Sequence, residues 1–231
     1  MTAAVILAGG LGTRLRSAVP DLPKPMAPIS GRPFLEHQLD YWIEQGVSHF
    51  VLSVGYRHEV IVNHFGDRYK GASIDYVTEE TPLGTGGGLL LAAETMDNDK
   101  PFLLLNGDTY FAVDLKSLIA FSLANNADWT FSLFRSNEEE RYMGMDISPQ
   151  GEIAALKSGA GHLANGGVYW VSPRALFRVG FLSGDNVSLE DDIFPAAMAS
   201  GQRLMGMECA GVFIDIGVPD DYHRAPDLLA P

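Results

Sequence analysis

The chain holds one cysteine, Cys209, among 231 residues. A lone thiol cannot close an intramolecular disulfide, so a reducing, cytoplasmic setting is expected. Long apolar runs are missing as well: no stretch approaches the roughly 20 residues that a bilayer-crossing helix needs. Met1-Thr2-Ala3-Ala4 has no basic start of the secretory kind, so no leader is expected. Basic residues are scarce, 16 Lys and Arg against 29 Asp and Glu, for a net charge of −13. That balance argues against nonspecific binding to nucleic acid or anionic membrane, yet it leaves room for a few cations focused in one cleft. Nor is there a GxSxG elbow, and His58 and His64 miss the HxxxH spacing of a helical zinc site. The scattered histidines therefore read as structural. No linker, repeat or low-complexity segment is visible.

What remains is ordinary globular material, 46% hydrophobic and 19% charged, enough for one sizeable core. Apolar runs alternate with helical spacing. Ala3–Leu7 reads as a strand, 34–45 as a helix stopped by Gly46, 50–54 as a strand and 59–65 as a short helix. Strand 73–77, helix 88–96, strand 101–105, helix 115–124 and strand 129–134 follow. Such β-α alternation predicts an α/β fold, a mostly parallel sheet with helices on both faces. Beyond about residue 135 the runs are short and β-like, at 143–147, 153–157, 167–171, 204–208 and 212–214, with one helix predicted over 189–198. Asp220 and Asp221 read as a solvated helix start. A single domain over 1–231 is expected.

The first strand runs into Ala8-Gly9-Gly10-Leu11-Gly12-Thr13-Arg14. Glycines after a strand let backbone N–H groups approach phosphate oxygens, since no Cβ blocks them. Arg14 and Lys24 add positive charge to the same place, which suits a nucleoside triphosphate. Lys24 stands between Pro23 and Pro25, which predicts an extended backbone aimed at a cleft. Neither common glycine loop fits. GxxxxGK[ST] is missing from the first 30 residues, and Leu15 occupies the third glycine position of GxGxxG. Asp108 ends a buried strand, Leu103-Leu104-Leu105-Asn106-Gly107-Asp108, where open α/β sheets place their ligands. A carboxylate there is a hard oxygen ligand for a divalent cation or a cap for the next turn. Asp215, between Ile214 and Ile216, would be costly to bury without a partner.

These segments together resemble the sugar-phosphate nucleotidyltransferases, whose N-terminus reads LAGGxGTRLxP…PKPMxP. The resemblance runs nearly the whole length. Glu79-Glu80-Thr81-Pro82-Leu83-Gly84-Thr85-Gly86-Gly87 is similar to the family's second nucleotide loop, and Asn165-Gly166-Gly167-Val168-Tyr169 to its N-x-G-x-Y segment. Phe213-Ile214-Asp215-Ile216-Gly217-Val218-Pro219 is similar to its late W-x-D-x-G-T-P, with Phe for Trp and Val for Thr. The resemblance implies a Rossmann-like three-layer sandwich with a mixed, mostly parallel sheet. It further implies joining of a sugar 1-phosphate to an NTP, with Mg2+ and release of pyrophosphate. Residues 1–135 would serve mainly the nucleotide and 136–231 mainly the sugar phosphate.

The reaction displaces pyrophosphate at phosphorus by an oxygen already anionic at neutral pH. It requires alignment and charge neutralisation rather than a general base. The resemblance then assigns roles. Arg14 takes the β- and γ-phosphates and Lys24 the α-phosphate. Leu7, Ala8 and Gly9 underlie the base; Gly10, Gly12 and Thr13 wrap the phosphates; Glu79, Pro82, Gly84 and Thr85 complete the nucleotide site. Gly144 (in Tyr142-Met143-Gly144), Lys157, Asn165 and Glu190 face the sugar phosphate, although a helix start also explains Glu190. Leu156 stands where the family's Glu-Lys pair has its Glu. Asp108 and Asp215 hold the metal.

A carboxylate at Glu79 suits the adjacent N1–H and N2–H donors of guanine, whereas uracil and thymine suit an amide. GTP is therefore expected. Shared runs, including 21–29 and 105–109, point within the family to enzymes acting on D-glycero-α-D-manno-heptose 1-phosphate, for bacterial surface polysaccharide. Mannose 1-phosphate is the alternative substrate, since one added carbon is worth only ~1–3 kcal/mol to a pocket not shaped against it. A uridylyl- or thymidylyltransferase, or a silent NDP-sugar-binding regulator, are further alternatives. A homo-oligomer is compatible with the sequence, which specifies no oligomeric state.

Overall fold

The computed structural model describes residues 2–10, 12, 15, 19–97, 99–136, 142–158 and 162–229; of Met143, Lys157 and Ser158 it describes the backbone alone. Strand β1 (Thr2–Ala8) is followed by a 3-10 turn, Lys24–Met26, and a small hairpin of β2 (Pro28–Ile29) and β3 (Arg32–Pro33). Then come α1 (Phe34–Glu44), β4 (Val47–Val54), α2 (His58–Phe65), β5 (Arg68–Tyr69) and β6 (Ala72–Thr78). Helix α3 (Gly84–Ala93) leads to β7 (Phe102–Asn106), β8 (Thr109–Phe111), α4 (Leu115–Ala124) and β9 (Trp129–Arg135). The remainder comprises β10 (Met143–Ile147), β11 (Ile153–Ser158), β12 (Leu163–Val171), α5 (Pro173–Leu176), α6 (Phe194–Ala199), β13 (Leu204–Glu208), β14 (Phe213–Asp215) and α7 (Pro219–Leu228).

Ten strands form one sheet in the order β11-β10-β12-β7-β1-β4-β6-β5, with β9 beside β12 and β13 beside β9. Its centre, β7-β1-β4-β6, is parallel. Central strands are apolar on both faces because both faces are covered. Val5, Val51 and Leu104 point to a core shared with Leu89 of α3, Ala175 of α5 and Phe194 of α6. Ala4, Ile6, Phe50, Leu52, Leu103 and Leu105 point the other way, onto Leu39 of α1, Ile61 of α2 and Leu118 of α4. The result is a three-layer α/β sandwich, as the pattern of runs predicts. Antiparallel β12 and its neighbours extend the parallel centre into the C-terminal half.

Local chemistry sets several boundaries. Residues Phe34, Leu35, Gln38, Leu39 and Trp42 are the buried stripe of α1, and Gly46, at φ 94°, turns the chain out of it. Helix α4 has the predicted bounds and is capped by Asp114, which accepts from the Ser117 N–H at 2.7 Å. Helix α3 begins at Gly84, four residues before the expected start at Gly88. Its first turn lies against the chain at 185–188, where the Gly86 and Gly87 N–H groups donate to the Val187 carbonyl at 2.9 and 3.1 Å. A Cβ on Gly84 would stand 2.5 Å from that oxygen, and one on Gly87 2.3 Å from the Asp185 carbonyl. The helix predicted over 189–198 is instead a π turn, Leu189–Ile193, continued by α6.

Two further expectations are corrected. Lys24 is not extended: the Met26 N–H donates to Pro23 O at 2.8 Å and the Ala27 N–H to Lys24 O at 3.0 Å, closing a 3-10 turn. Pro25 has no N–H to lose at that position, so the turn tolerates it. Asp220 and Asp221 do not share a solvated helix start. Asp220 is exposed, whereas Asp221 is 5% exposed and accepts from Arg224 Nη1 at 3.0 Å.

The ends of β1 and β7 are joined by the Gly107 N–H, which donates to Leu7 O at 3.0 Å. A Cβ on Gly107 would stand 2.4 Å from that carbonyl oxygen, with backbone on every near side. Gly107→Ala should therefore cost about 1–3 kcal/mol through overpacking. At about 2–4 °C per kcal/mol for a chain of this size, calorimetry should register a clearly lowered melting temperature.

Candidate active site

The C-terminal ends of β1, β4, β6 and β7 all lie on one edge of the sheet, because the four are parallel. The chain leaves β1 as Gly9-Gly10, leaves β6 as Glu79 and leaves β7 as Gly107-Asp108. The Glu79 N–H donates to Val54 O at 2.8 Å and so keeps that residue beside the end of β4. A cavity of about 550 Å3 opens over this edge. Its wall contains Leu7, Ala8, Gly9, Gly10, Lys24, Glu79, Pro82, Gly84 and Thr85 from the N-terminal half. Asp108, Asn165, Glu190 and Asp215 line the same space.

Asp108 and Asp215 are brought together by pairing of β8 with β14, which sets Thr109 opposite Asp215. The Ile216 N–H donates to Asp108 O at 2.9 Å and fixes the two turns against each other. Lys24 Nζ lies 2.7 Å from Asp108 Oδ2, with the two side chains 12% and 32% exposed. A Cβ built on Gly217 would stand 2.7 Å from Asp215 Oδ1, 3.2 Å from Lys24 Nζ and 3.4 Å from Asp108 Oδ2. Three charged groups thus face one point above Gly217, whose own N–H donates to Asp215 Oδ1 at 2.6 Å. Gly12, at φ 59°, backs the Lys24 stem, its Cβ position 3.4 Å from Lys24 Cβ.

Glu79 is held on both oxygens. Oε1 accepts the Ser53 hydroxyl at 3.1 Å, and Oε2 accepts the Leu83 N–H at 3.0 Å. A Cβ on Gly9 would come within 2.3 Å of Oε1, so any larger residue there would push the carboxylate from this place. A carboxylate has about four acceptor positions, so Glu79 keeps capacity for donors entering from the cavity.

The other flank is a hydroxyl-carboxylate cluster. Thr85 Oγ1 and Ser188 Oγ both donate to Glu190 Oε2 at 3.1 Å. Thr85 Oγ1 in turn accepts the Leu189 N–H at 2.8 Å. Nearby, Asn165 Nδ2 donates to the Tyr169 hydroxyl at 2.7 Å, and Asn165 Oδ1 accepts the Gly167 N–H at 3.2 Å. Burial drives the Tyr169 phenol well above its ordinary pKa, and the charges of Glu190 and Asp108 add to this against the Asn165 bond. The phenol stays neutral, and Asn165 is held in one orientation at the cavity wall.

Most of the residues singled out from the sequence meet here. Arg14 and Thr13 lie outside the described residues, as does the Lys157 side chain. Gly12 lies behind Lys24 rather than on the wall. Gly144 is buried within β10, opposite Lys157 and Ala164, two residues on from Tyr142, which does line the cavity. Ser53 and Gly217 were not singled out. The D-x-G spacing after β14 carried a signal for Gly217; Ser53, inside an apolar strand, carried none. Phe213 and Tyr142 also line the cavity. Phe213 stacks on Phe134 at 3.8 Å and 17°, with Tyr142 edge-on to both rings. Among the described residues no group of three or more His, Cys, Asp and Glu could hold a metal ion, so the acidic pair stands without a third such ligand.

Gly217→Ala would set a methyl among the three charged groups. Gly217 has no positive φ, so its backbone accepts alanine. Turnover by whatever chemistry the cavity performs should fall at least tenfold, while the melting temperature moves by only a few degrees; steady-state assay beside thermal denaturation separates the two.

A family model described as nucleotidyl transferase matches residues 3–230. The D-glycero-alpha-D-manno-heptose 1-phosphate guanylyltransferase of Aneurinibacillus thermoaerophilus is 41% identical over 229 residues, covering 98% of this chain and 97% of that one. A protein of the same description from Campylobacter jejuni is 36% identical over 229 residues, covering 96% and 97%. The crystal structure of HddC from Yersinia pseudotuberculosis complexed with GMP-PN superposes with a TM-score of 0.85 at 34% identity, covering 98% of this chain and 99% of that one. With a parallel sheet edge, a glycine turn and paired carboxylates over one cavity, and a family match across almost every residue, the chain belongs to the nucleotidyl transferase family.

Proposed function

We propose that this protein transfers the guanylyl group of GTP to D-glycero-α-D-manno-heptose 1-phosphate, giving GDP-heptose and pyrophosphate. The observation that carries this reading is the convergence of Lys24, Asp108 and Asp215 on one point of a cavity that Glu79 also lines. A cation facing two carboxylates suits phosphoryl transfer, in which placement and charge neutralisation do the catalysis. Near-full-length relatives of that description support the substrate pair.

In this reading a phosphate oxygen of the sugar attacks the α-phosphorus of GTP, the bond from that phosphorus to the β-phosphate oxygen breaks, and pyrophosphate leaves with its electron pair. No proton moves. Lys24 orients and neutralises the α-phosphate, and Arg14 grips the β- and γ-phosphates. Gly9 and Gly10 let backbone approach the nucleotide without a Cβ. Glu79, held by Ser53 and Leu83, accepts the N1–H and N2–H of guanine. Asn165 and Glu190 meet sugar hydroxyls. Asp108 and Asp215 fit a divalent cation: both offer hard oxygens to one point, and the Lys24 ammonium already marks it as a place for positive charge. Mg2+ held there would neutralise charge on the reacting phosphates. On the same reading the product is a sugar donor for bacterial surface polysaccharide, made in the cytoplasm. Among the described residues no helix is long and apolar enough to cross a membrane.

Pyrophosphate release with Mg2+ and GTP should be faster on the heptose 1-phosphate than on α-mannose 1-phosphate. Preference for mannose, or turnover only with another NTP, would overturn the substrate assignment. Glu79→Gln should lower kcat/KM for GTP at least tenfold, because a charged acceptor is worth about 1.5–3 kcal/mol; an unchanged ranking of NTPs would remove Glu79 from base reading. Asp108→Asn and Asp215→Asn should each raise the Mg2+ concentration needed for half-maximal rate, read from metal titrations at fixed GTP.

A further inference from the structure

Gln38 sits in the buried stripe of α1 and is 2% exposed. Its Nε2 donates to Asn106 O at 2.9 Å and to Thr109 O at 2.5 Å. Those carbonyls stand at the two ends of the turn that carries Asp108. A primary amide has two N–H bonds, and both are used. Its Oε1 is buried with no hydrogen-bond partner. An apolar side chain of similar size would fill this helix position without burying that unpartnered oxygen, but it would take the donors from both carbonyls. What glutamine offers there in exchange is the bridge between the two carbonyls.

The rest of the turn is tied from other directions. The Gly107 N–H donates to Leu7 O at 3.0 Å, and Asp108 O accepts the Ile216 N–H at 2.9 Å. These bonds link the turn to β1 and to the chain after β14. Gln38 adds the link to α1, in the layer beneath the sheet. We propose that Gln38 is a positioning residue for Asp108: by bridging the carbonyls of Asn106 and Thr109 it sets where the Asp108 carboxylate stands relative to Asp215 and Lys24. The proposal rests on Asp108 being a metal ligand. Groups that orient a ligand without touching the ion typically change metal affinity 10- to 100-fold when removed.

The test compares Gln38→Met, which keeps length and volume but loses both donors, with Asp108→Asn. Mn2+ alone is titrated into each full-length protein, and free Mn2+ is read by electron paramagnetic resonance, with melting temperatures taken in parallel. Gln38→Met should weaken Mn2+ binding about tenfold. A role confined to packing would lower the melting temperature and leave the Mn2+ isotherm in place, which overturns the proposal. If Asp108→Asn also leaves the isotherm unchanged, the metal assignment falls and the proposal with it. If instead Gln38→Met does not fold, the native protein gives the answer by 15N NMR. The Gln38 side-chain amide protons should exchange slowly and shift on Mg2+ addition. Free exchange, or resonances blind to Mg2+, would refute the positioning role.

Discussion

One backbone hydrogen bond, from the Gly107 N–H to Leu7 O, holds the working edge of this protein together. It ties the end of β1 to the turn after β7, so that the glycine turn and the first carboxylate leave the sheet side by side. No side chain can sit between them, because Gly107 is packed against backbone. From that junction the other parts follow by pairing. Strand β8 reaches β14, and β14 delivers Asp215 next to Asp108. On the proposed reading two phosphate-bearing substrates must meet in a chain of net charge −13, which calls for local positive charge. Lys24, folded into its 3-10 turn and pressed on Asp108, supplies part of it.

Much of this was legible in the sequence, for identifiable reasons. Central strands are apolar on both faces, so their runs are continuous and easily seen; α4 keeps its predicted bounds because Asp114 caps it and its apolar spacing is regular. The residues Asp108, Asp215, Glu79 and Lys24 were reached through motifs in which glycine or proline fixes the local backbone. Less was visible where pairing partners are distant. Strand β8, three residues long, has too little length for a periodic signal, and although 212–214 reads as a strand that matches β14, nothing in sequence says that it pairs with β8. Gln38 reads in sequence as a polar interruption of a helix face, and only the carbonyls of a remote turn give it a purpose. The early start of α3 was hidden for the opposite reason: glycine is a poor helix former, and here packing against 185–188 overrides propensity.

The aromatic wall shows the same dependence on distant partners. Phe213 follows from a motif that carries tryptophan in the family it resembles, yet its neighbours, Phe134 of β9 and Tyr142 just before β10, lie some seventy to eighty residues away in the chain. Phe213 and Tyr142 line both the main cavity and a second space of about 550 Å3 beside it. Those two rings are lining residues common to both spaces.

The seam between α3 and the chain at 185–188 has a consequence for how such a protein can change. Val187 O accepts two N–H groups from glycines of α3, and Thr85 and Ser188 share one oxygen of Glu190. Residues that the proposed reading divides between two substrates are here a single packed unit. Substitutions on its two sides should be strongly non-additive, since contacting residues that share partners do not contribute independently. An altered ligand preference would then be inherited as a pair of segments, 82–87 together with 185–190. Exchanging either segment alone with a relative would graft a mismatched seam rather than a new specificity.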